Sequence, residues 1–317
     1  MSLRSTLTRG LPALLATSAL LAGGVAVAAP ATTAAPPDIP IADVQAHLTA
    51  LNDVAAANGG NRAHGQPGQK ATIDFLKATL DEAGFETSVQ EFEVQGATGY
   101  NLIADWTAGD ANQVLMLGGH SDGVEAGPAI NDNGTGSAAL LEVALTVAEQ
   151  QLQPAKKLRF GWWGAEELGL VGSTEYVESL PQAERDKITG YLNFDMLGSP
   201  NAGYFAYDPS DQPEGSAELQ APLNEFLAGA GVQTEDTAIG GRSDHAAFAD
   251  AGIPTAGLFS GAEDVKTEAQ AELWGGTAGE AFDPCYHQAC DTLDNIDVES
   301  LDKMTDAVAH AAWTLAG

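Results

Sequence analysis

Five side chains of types that commonly bind metal ions lie in separate segments of this 317-residue chain. They are His120, Asp132, Glu167, Asp195 and His287. Two imidazoles and three carboxylates form a nitrogen and oxygen donor set that suits a pair of zinc ions. Such a pair can prepare a hydroxide for attack on an amide carbonyl. The residue types therefore predict a hydrolytic metal site, provided that the fold brings these side chains together.

The segment VLMLGGHSDGVEAGPAINDNGTG contains the first two of these side chains. His120 follows two glycines that let the backbone turn sharply. Asp122 is suitably spaced to accept a hydrogen bond from the second ring nitrogen, which would make the ring a better ligand. Asp132 stands in a turn before a helix and could bridge two metals with one oxygen on each. The alternatives are a buried histidine satisfied by a carbonyl, and an aspartate that only caps the helix.

Carboxylates also follow two apolar strands. Glu166 and Glu167 come after LRFGWWG, and Asp195 lies in YLNFDML, which is apolar except for Asn193. Paired glutamates are common on solvated helices, but carboxylates at an apolar strand end are costly unless a cation or a proton uses them. The pair therefore indicates one metal ligand and one general base, and Asp195 is better interpreted as a ligand.

The two cysteines, Cys285 and Cys290, are separated by four residues. In an exported protein such a pair predicts a small disulfide loop, with metal ligation by the pair as the alternative. The loop would restrict where the ring of His287 points. Tyr286 beside it could offer its hydroxyl to a developing oxyanion.

The amino-terminal residues indicate export. Arg4 and Arg9 precede an apolar stretch that ends in Ala26-Val27-Ala28, which predicts a signal peptide over residues 1–28. A retained membrane anchor is the weaker alternative, because the strongly apolar part is shorter than the roughly 20 residues that span a bilayer. Residues 29–37 are expected to form a flexible leader or pro-segment, followed by a single catalytic domain over residues 38–317.

The charge balance excludes one large class of partners. The chain has 13 basic and 44 acidic residues, a formal net charge of −31. Because phosphate binding needs a basic surface, nucleic acid is not an expected partner. The acidity favours solubility outside the cell and gives metal cations a favourable field. We expect a secreted monomer with no membrane contact after signal removal.

Apolar periodicity predicts alternating helices and strands through most of the chain. Strands are expected near residues 87–94, 101–106, 114–117, 158–163, 188–196, 204–207 and 255–259. Helices are expected near 41–57, 68–84, 134–150, 174–180, 217–230, 244–251 and 298–315. This alternation predicts an α/β three-layer sandwich, with a mostly parallel central sheet covered by helices on both faces. Four of the candidate residues (His120, Glu166, Glu167, Asp195) follow predicted strands, at the edge where ligands bind in such folds.

The motifs taken together resemble those of the secreted streptomycete-type, leucine-preferring dizinc aminopeptidases, within the co-catalytic zinc aminopeptidase family. The motifs that carry the resemblance are GGHSDG, INDNGTGSAA, WWGAEELGLVGS, YLNFDMLGSP, GGRSDHAAF and AFDPCYHQACDTLDNI. They cover nearly all of the chain from Pro36 to the last helix. One departure is visible, since HSDG replaces the expected HLDS form, and it should not touch a ligand.

The resemblance implies a role for each candidate residue. Asp132 would bridge two zinc ions, His120 and Asp195 would complete one, and Glu167 and His287 the other. Glu166 would be the general base, and Tyr286 would stabilise the tetrahedral intermediate. The substrate amino group would be held by Glu166, Asp195 and the backbone carbonyl of Arg242. Met196 and Phe259 would line an apolar pocket for the first side chain.

The same resemblance implies a calcium site far from the zinc ions. Its ligands would be Asp38, the carbonyl of Ile39, Asp302 and Asp306. Oxygen donors suit calcium, and the four-residue spacing puts the last two aspartates on one helix face. Solvated acids without a metal are the alternative in so acidic a chain.

The resemblance therefore predicts a zinc metalloaminopeptidase that removes N-terminal residues from peptides and proteins, preferring large apolar residues such as leucine. A dizinc-activated hydroxide would attack the first peptide carbonyl, with Glu166 as its base. The rivals on a related fold are a carboxypeptidase or deacylase, which Arg242 would serve, and a glutaminyl cyclase. A non-catalytic metal or solute binder is the rival from a different class.

Overall fold

The described part of the chain, residues 35–317 of this computed structural model, contains nine α-helices and eight β-strands. The helices are α1 (Ile41–Ala57), α2 (Pro67–Ala83), α3 (Gly136–Glu149), α4 (Val171–Ser179), α5 (Gln182–Arg185), α6 (Ser216–Gly229), α7 (His245–Asp250), α8 (Glu268–Trp274) and α9 (Val298–Ala316). The strands are β1 (Glu86–Val94), β2 (Ala97–Asp105), β3 (Asp110–His120), β4 (Lys156–Trp163), β5 (Ile188–Phe194), β6 (Phe205–Tyr207), β7 (Glu235–Thr237) and β8 (Thr255–Phe259). The predicted signal peptide, residues 1–28, and residues 29–34 of the predicted leader lie outside the described residues.

All eight strands belong to one sheet, in the order β1-β2-β4-β3-β5-β8-β6-β7. The central strands β4, β3, β5 and β8 are parallel to one another. The hairpin of β1 and β2 joins one side of this centre in antiparallel fashion, and β6 joins the other side in the same way. Because the centre is parallel, the carboxyl ends of its strands lie at one edge of the sheet.

Side chains that alternate along the central strands fill two separate cores. Leu115 and Leu117 of β3 lie in the larger core, which also contains apolar residues of α1, α2, α3, α6 and α9. Met116, between them in sequence, lies in the smaller core with Phe248 of α7 and Tyr176 of α4. Both faces of the sheet are therefore covered by helices, as the apolar periodicity predicts. The predicted α/β sandwich is confirmed.

Local sequence explains where several helices begin and end. Pro67 is the first residue of α2, a position where its missing N–H costs nothing. Gly84 ends the same helix in the left-handed conformation, with a φ of 94°, that glycine adopts readily. The side chain of Asp297 accepts a hydrogen bond from the backbone of Ser300 and caps α9.

The predicted helices and strands all occur, with ends that differ by a few residues. The three-residue strand β7 and the short helices α5 and α8 were not predicted, because so few residues carry no readable periodicity. In the described range, no helix is long and apolar enough to cross a bilayer.

Candidate metal centre

Three of the five candidate ligands lie at the carboxyl ends of three adjacent parallel strands. His120 is the last residue of β3, and Asp195 directly follows β5. Glu166 and Glu167 occupy a short turn, Glu166–Leu168, that follows β4. Since β3 pairs with both β4 and β5, these side chains meet at one edge of the sheet.

The other two candidate ligands arrive from loops. Asp132 lies in the buried turn Ile130–Thr135 that leads into α3. His287 lies between α8 and α9, inside a loop closed by the disulfide bond between Cys285 and Cys290. The predicted disulfide is therefore present.

The two imidazoles face different oxygens of Asp132. His120 Nε2 lies 3.2 Å from Asp132 Oδ1, and His287 Nε2 lies 3.2 Å from Asp132 Oδ2. Each imidazole also meets a second carboxylate, with His120 Nε2 3.2 Å from Asp195 Oδ1 and His287 Nε2 2.9 Å from Glu167 Oε2. The structure thus brings together all five residues, in two halves that share Asp132.

The donor chemistry of this cluster fits divalent zinc. Donor atoms of His120, Asp132 and Glu167 lie within 4.8 Å of one another, and so do those of His120, Glu166 and Asp195. In the part of the chain that the structure describes, no lysine or arginine forms an ion pair with these carboxylates. Imidazole nitrogen and carboxylate oxygen are usual zinc ligands, and a cation would balance the buried negative charge.

The acidic and imidazole groups of the cluster shift one another's pKa values. Burial, strengthened by the charge of Asp132, raises the pKa of Glu167 to about 7. Burial alone would raise the pKa of Asp132, but hydrogen bonds from His120 and His287 outweigh it and lower that pKa. Hydrogen bonds to Asp132 and Glu167 raise the pKa of His287 to about 10. The carboxylates therefore favour a positive charge on the groups beside them.

Glu166 differs from Glu167 in its surroundings. Its side chain is buried, and this desolvation raises its pKa well above the ordinary value, although the charge of His120 acts against the shift. Glu166 lines the cavity at the site, whereas Glu167 contacts His287. The two glutamates thus occupy different positions, one open to a bound molecule and one turned to an imidazole.

Two further polar residues lie next to the candidate ligands, Asp122 beside His120 and Ser243 beside Asp195. Asp122 Oδ1 lies 3.6 Å from His120 Nδ1, longer than a hydrogen bond, and accepts one from the backbone N–H of Glu166 at 3.2 Å. The hydroxyl of Ser243 donates to Asp195 Oδ2 at 2.7 Å and accepts from Asn193 Nδ2 at 2.7 Å. Ser243 lies in the motif GGRSDHAAF, but nothing in its spacing indicated this contact.

A carboxylate connects the two loops that carry Asp132 and His287. Asp291 accepts hydrogen bonds from the backbone N–H groups of Asn131, at 2.7 Å, and Asp132, at 3.1 Å. Asn131 also donates to Asp283 Oδ2 at 2.7 Å. Asp283 and Asp291 flank the disulfide loop, so these bonds fix its position relative to Asp132. Sequence reasoning missed these residues, because acidic residues are too frequent in this chain to single them out.

A cavity opens beside the cluster and is lined by most of the predicted site residues. Its lining residues are His120, Asp132, Glu166, Asp195, Met196, Ile239, Arg242, Phe259, Ala262, Tyr286 and His287. Met196 and Phe259, expected in an apolar pocket, are joined there by Ile239 and Ala262, which had not been predicted. The cavity therefore has a charged end at the ligands and an apolar wall.

Tyr286 and Arg242 stand at the rim of this cavity. The Tyr286 ring stacks on His287, with the ring centroids 3.8 Å apart. Burial raises the pKa of the Tyr286 hydroxyl, which keeps it protonated and able to donate a hydrogen bond. The guanidinium of Arg242 binds Glu263, with its Nη2 atom 3.0 Å from Oε1.

The predicted calcium ligands lie at a different place, where residues before α1 meet α9. The backbone N–H of Ile39 donates to Asp306 Oδ1 at 2.7 Å. Burial, strengthened by the charges of Asp38 and Asp302, raises the pKa of Asp306 to about 6. These acidic side chains are thus close enough to repel one another.

Comparison with known proteins places this chain among peptidases. A profile of Peptidase family M28 matches residues 101–312. The chain is 60% identical over 294 residues to leupeptin-inactivating enzyme 1 of Streptomyces exfoliatus, covering 92% of this chain and 66% of that protein. It is 50% identical over 221 residues to an aminopeptidase of Pseudomonas aeruginosa strain UCBPP-PA14, covering 68% of this chain and 41% of that protein. The chain thus spans less than two thirds of each of these relatives.

A solved structure gives the same fold. A zinc aminopeptidase from Bacillus subtilis superposes with a TM-score of 0.74 over 88% of this chain and 96% of its own, at 17% sequence identity. The family profile covers more than half of the chain, including all six motifs that carry the resemblance and all five candidate ligands. This chain therefore belongs to Peptidase family M28.

Proposed function

We propose that this chain is an aminopeptidase that uses two zinc ions to hydrolyse the first peptide bond of peptides and proteins. The observation that carries the proposal is the geometry of Asp132, which has one oxygen 3.2 Å from each imidazole and a further carboxylate beside each imidazole. This arrangement supports two metal positions that would share one carboxylate. Relatives named as aminopeptidases support the same activity.

The zinc ions would be held by residues of both halves of the cluster. His120 and Asp195 would hold one ion, Glu167 and His287 the other, and Asp132 both. Zinc bound there supplies Lewis acidity that lowers the pKa of water and polarises a carbonyl. Asp122 lies beside His120, and Ser243 binds Asp195. These neighbours would restrict the two ligands, so less conformational freedom would be lost when zinc binds.

Glu166 is the proposed general base and later proton donor. Its carboxyl lines the cavity and belongs to one of the two donor groups without being needed as a ligand. Burial raises its pKa, which makes the carboxylate a stronger base toward water and lets it later return the proton to the leaving amine. Its backbone N–H is held by Asp122, which fixes where the side chain begins.

Tyr286 is the proposed donor to the oxyanion. Its hydroxyl is protonated and its ring is stacked on His287 at the cavity rim. A donor fixed in this way stabilises charge that develops on the carbonyl oxygen during attack.

Selectivity for a free amino terminus would come from the charge of the cavity. The substrate ammonium would meet Glu166, Asp195 and the backbone carbonyl of Arg242, while the first side chain enters the apolar wall of Met196 and Phe259. Removing the ammonium charge leaves these acids unpaired, so an acylated substrate should bind poorly. Large apolar first residues such as leucine suit this wall.

The carboxypeptidase or deacylase alternative is less well supported. It requires a basic side chain that is free to bind a substrate carboxylate. The guanidinium of Arg242 is already bound to Glu263. The glutaminyl cyclase alternative is also less well supported. A cyclase would need only one metal, which would leave some of the five candidate ligands without a role.

Further parts of the proposal concern the rest of the chain. We propose export after cleavage of residues 1–28, and a single catalytic domain over residues 38–317 that acts as a monomer. We also propose calcium binding at Asp38, the Ile39 carbonyl, Asp302 and Asp306. It is supported by the elevated pKa of Asp306, since clustered acids favour a hard cation.

Hydrolysis of leucine p-nitroanilide by purified protein tests the activity. We expect cleavage that is lost with a chelator and restored by zinc, and little cleavage of N-acetyl-leucine p-nitroanilide. Equal cleavage of both substrates would contradict the proposal. Conversion of an N-terminal glutaminyl peptide to the cyclic product would favour the cyclase instead, and zinc binding without turnover would favour a non-catalytic binder.

A further inference from the structure

One buried cation near the candidate metal centre has no role in the proposed chemistry. Arg62 lies between α1 and α2, and its side chain is fully buried. Across residues 35–317, no carboxylate is close enough to form an ion pair with it. A buried guanidinium without a carboxylate partner is costly, so its retention calls for a specific set of contacts.

Main-chain carbonyls provide those contacts. The Nε of Arg62 donates to the carbonyl of Pro128 at 3.0 Å, and Nη2 donates to the carbonyl of Ala129 at 2.6 Å. Nη1 donates to the carbonyl of Ser121. Ser121 directly follows His120, whereas Pro128 and Ala129 come just before the turn that carries Asp132. One guanidinium thus joins both ends of the connecting segment, residues 121–129.

The charge of Arg62 is also directed toward the cluster. Burial lowers its pKa, while the charges of Asp122, Asp291, Asp132 and Glu167 act to raise it. The positive charge therefore acts on acidic residues of the site, although Arg62 is not among the residues that line the cavity. It reduces the cost of holding those carboxylates together before a metal binds.

We propose that Arg62 is a positioning residue that closes segment 121–129 and so fixes the separation of His120 and Asp132 before zinc binds. This inference rests on the proposed function, because it assumes that both residues are zinc ligands. Arginine is suited to the task because its planar group offers five donors in a fixed arrangement. A lysine would keep the charge but could not bind both ends of the segment.

The variant Arg62→Lys tests the proposal through zinc affinity, measured by competition with a chelating indicator. We expect the zinc dissociation constant to rise by about 10- to 100-fold, the usual effect of losing a group that orients metal ligands. The matched control is Arg159→Lys. Arg159 of β4 donates from its Nε to Asp105 of β2 at 2.6 Å, and its replacement should lower stability without changing zinc affinity. An unchanged affinity in Arg62→Lys, or an equal change in the control, would overturn the proposal.

Hydrogen exchange of the metal-free natural protein provides a test that does not depend on the folding of any variant. If Arg62 closes the segment, peptides covering residues 121–132 should be protected before zinc is added, and zinc should increase protection only slightly. Rapid exchange that becomes slow only with zinc would mean that the metal orders the segment, and the proposal would be overturned. If the natural protein bound no zinc, the proposed function would be contradicted instead. The exchange of the metal-free protein would still test whether Arg62 orders the segment.

Discussion

At the scale of single residues, the division between Glu166 and Glu167 is the most consequential feature. The two are adjacent in sequence, yet one lines the cavity and the other contacts His287. The sequence predicted that one would ligate and one would act as base, because two carboxylates beside an apolar strand need different partners. Which one does which was inferred partly from the resemblance, and this assignment stays a prediction.

Replacing Glu166 by glutamine should therefore separate binding from catalysis. An amide cannot accept the proton, so we expect kcat to fall by about 10²- to 10⁴-fold while the variant still binds two zinc ions. Steady-state kinetics and metal analysis measure the two effects. The control is Glu149→Gln at the exposed end of α3, which should leave both values unchanged. Loss of zinc from Glu166→Gln would show that this residue is a ligand rather than a base.

His245 of α7 should make stability depend on pH. Burial lowers its pKa to about 4, below the value of 6.5 expected when unfolded. The unfolded chain therefore binds a proton that the folded chain does not bind between pH 6.5 and 4, and stability falls as the pH falls through this window. The loss attributable to His245 is at most about 3 kcal/mol.

The variant His245→Phe isolates this contribution, since phenylalanine can keep the ring contact with Tyr207, where the centroids lie 4.8 Å apart, but does not titrate. Denaturant unfolding at pH 7 and pH 4 should show a smaller loss of stability in the variant than in the natural protein. The same pH dependence in both would exclude His245 as a source.

At the scale of elements, the parallel strands explain how much of the site was predictable. Residues that follow neighbouring parallel strands must meet at one edge, so His120, Glu167 and Asp195 could be grouped from the sequence. Contacts made by Ser243, Asp291 and Arg62 could not, because they join distant segments and these residue types follow no period. The short strand β7 was missed for a related reason, since three residues are too few to show alternation.

The disulfide loop gives a test at this scale. Replacing Cys285 and Cys290 by serine frees the backbone around His287, while Asp283 and Asp291 still hold the loop at its two sides. We expect the fold to persist and one of the two zinc ions to bind about 10-fold more weakly or worse, since ordering His287 then costs entropy. Stepwise zinc titration with a thermal unfolding control measures this. If both ions bind as tightly as in the natural protein, the disulfide does not position His287.

At the scale of the whole molecule, the acidic charge opposes the compact state. The full chain has a formal net charge of −31, and the metal cluster concentrates several of these charges in one buried place. Self-repulsion of this kind is screened by salt. Bound zinc should reduce this repulsion at the metal cluster, where acidic side chains are concentrated.

Salt should therefore stabilise the metal-free protein. We expect its Tm to rise with sodium chloride concentration, by about 2–4 °C for each kcal/mol of repulsion that is screened. The zinc-loaded protein should show a smaller rise, because part of the repulsion is already neutralised. Calorimetry of both forms at matched pH makes the comparison, and a Tm independent of salt in the metal-free form would contradict this view of the charge.

The most direct measurement of the central claim is a crystal structure of the zinc-loaded protein with anomalous scattering recorded at the zinc edge. We predict two zinc ions, each bound by a different oxygen of Asp132, one with His120 and Asp195 and the other with Glu167 and His287. A single zinc ion, or two ions that Asp132 does not bridge, would contradict the account.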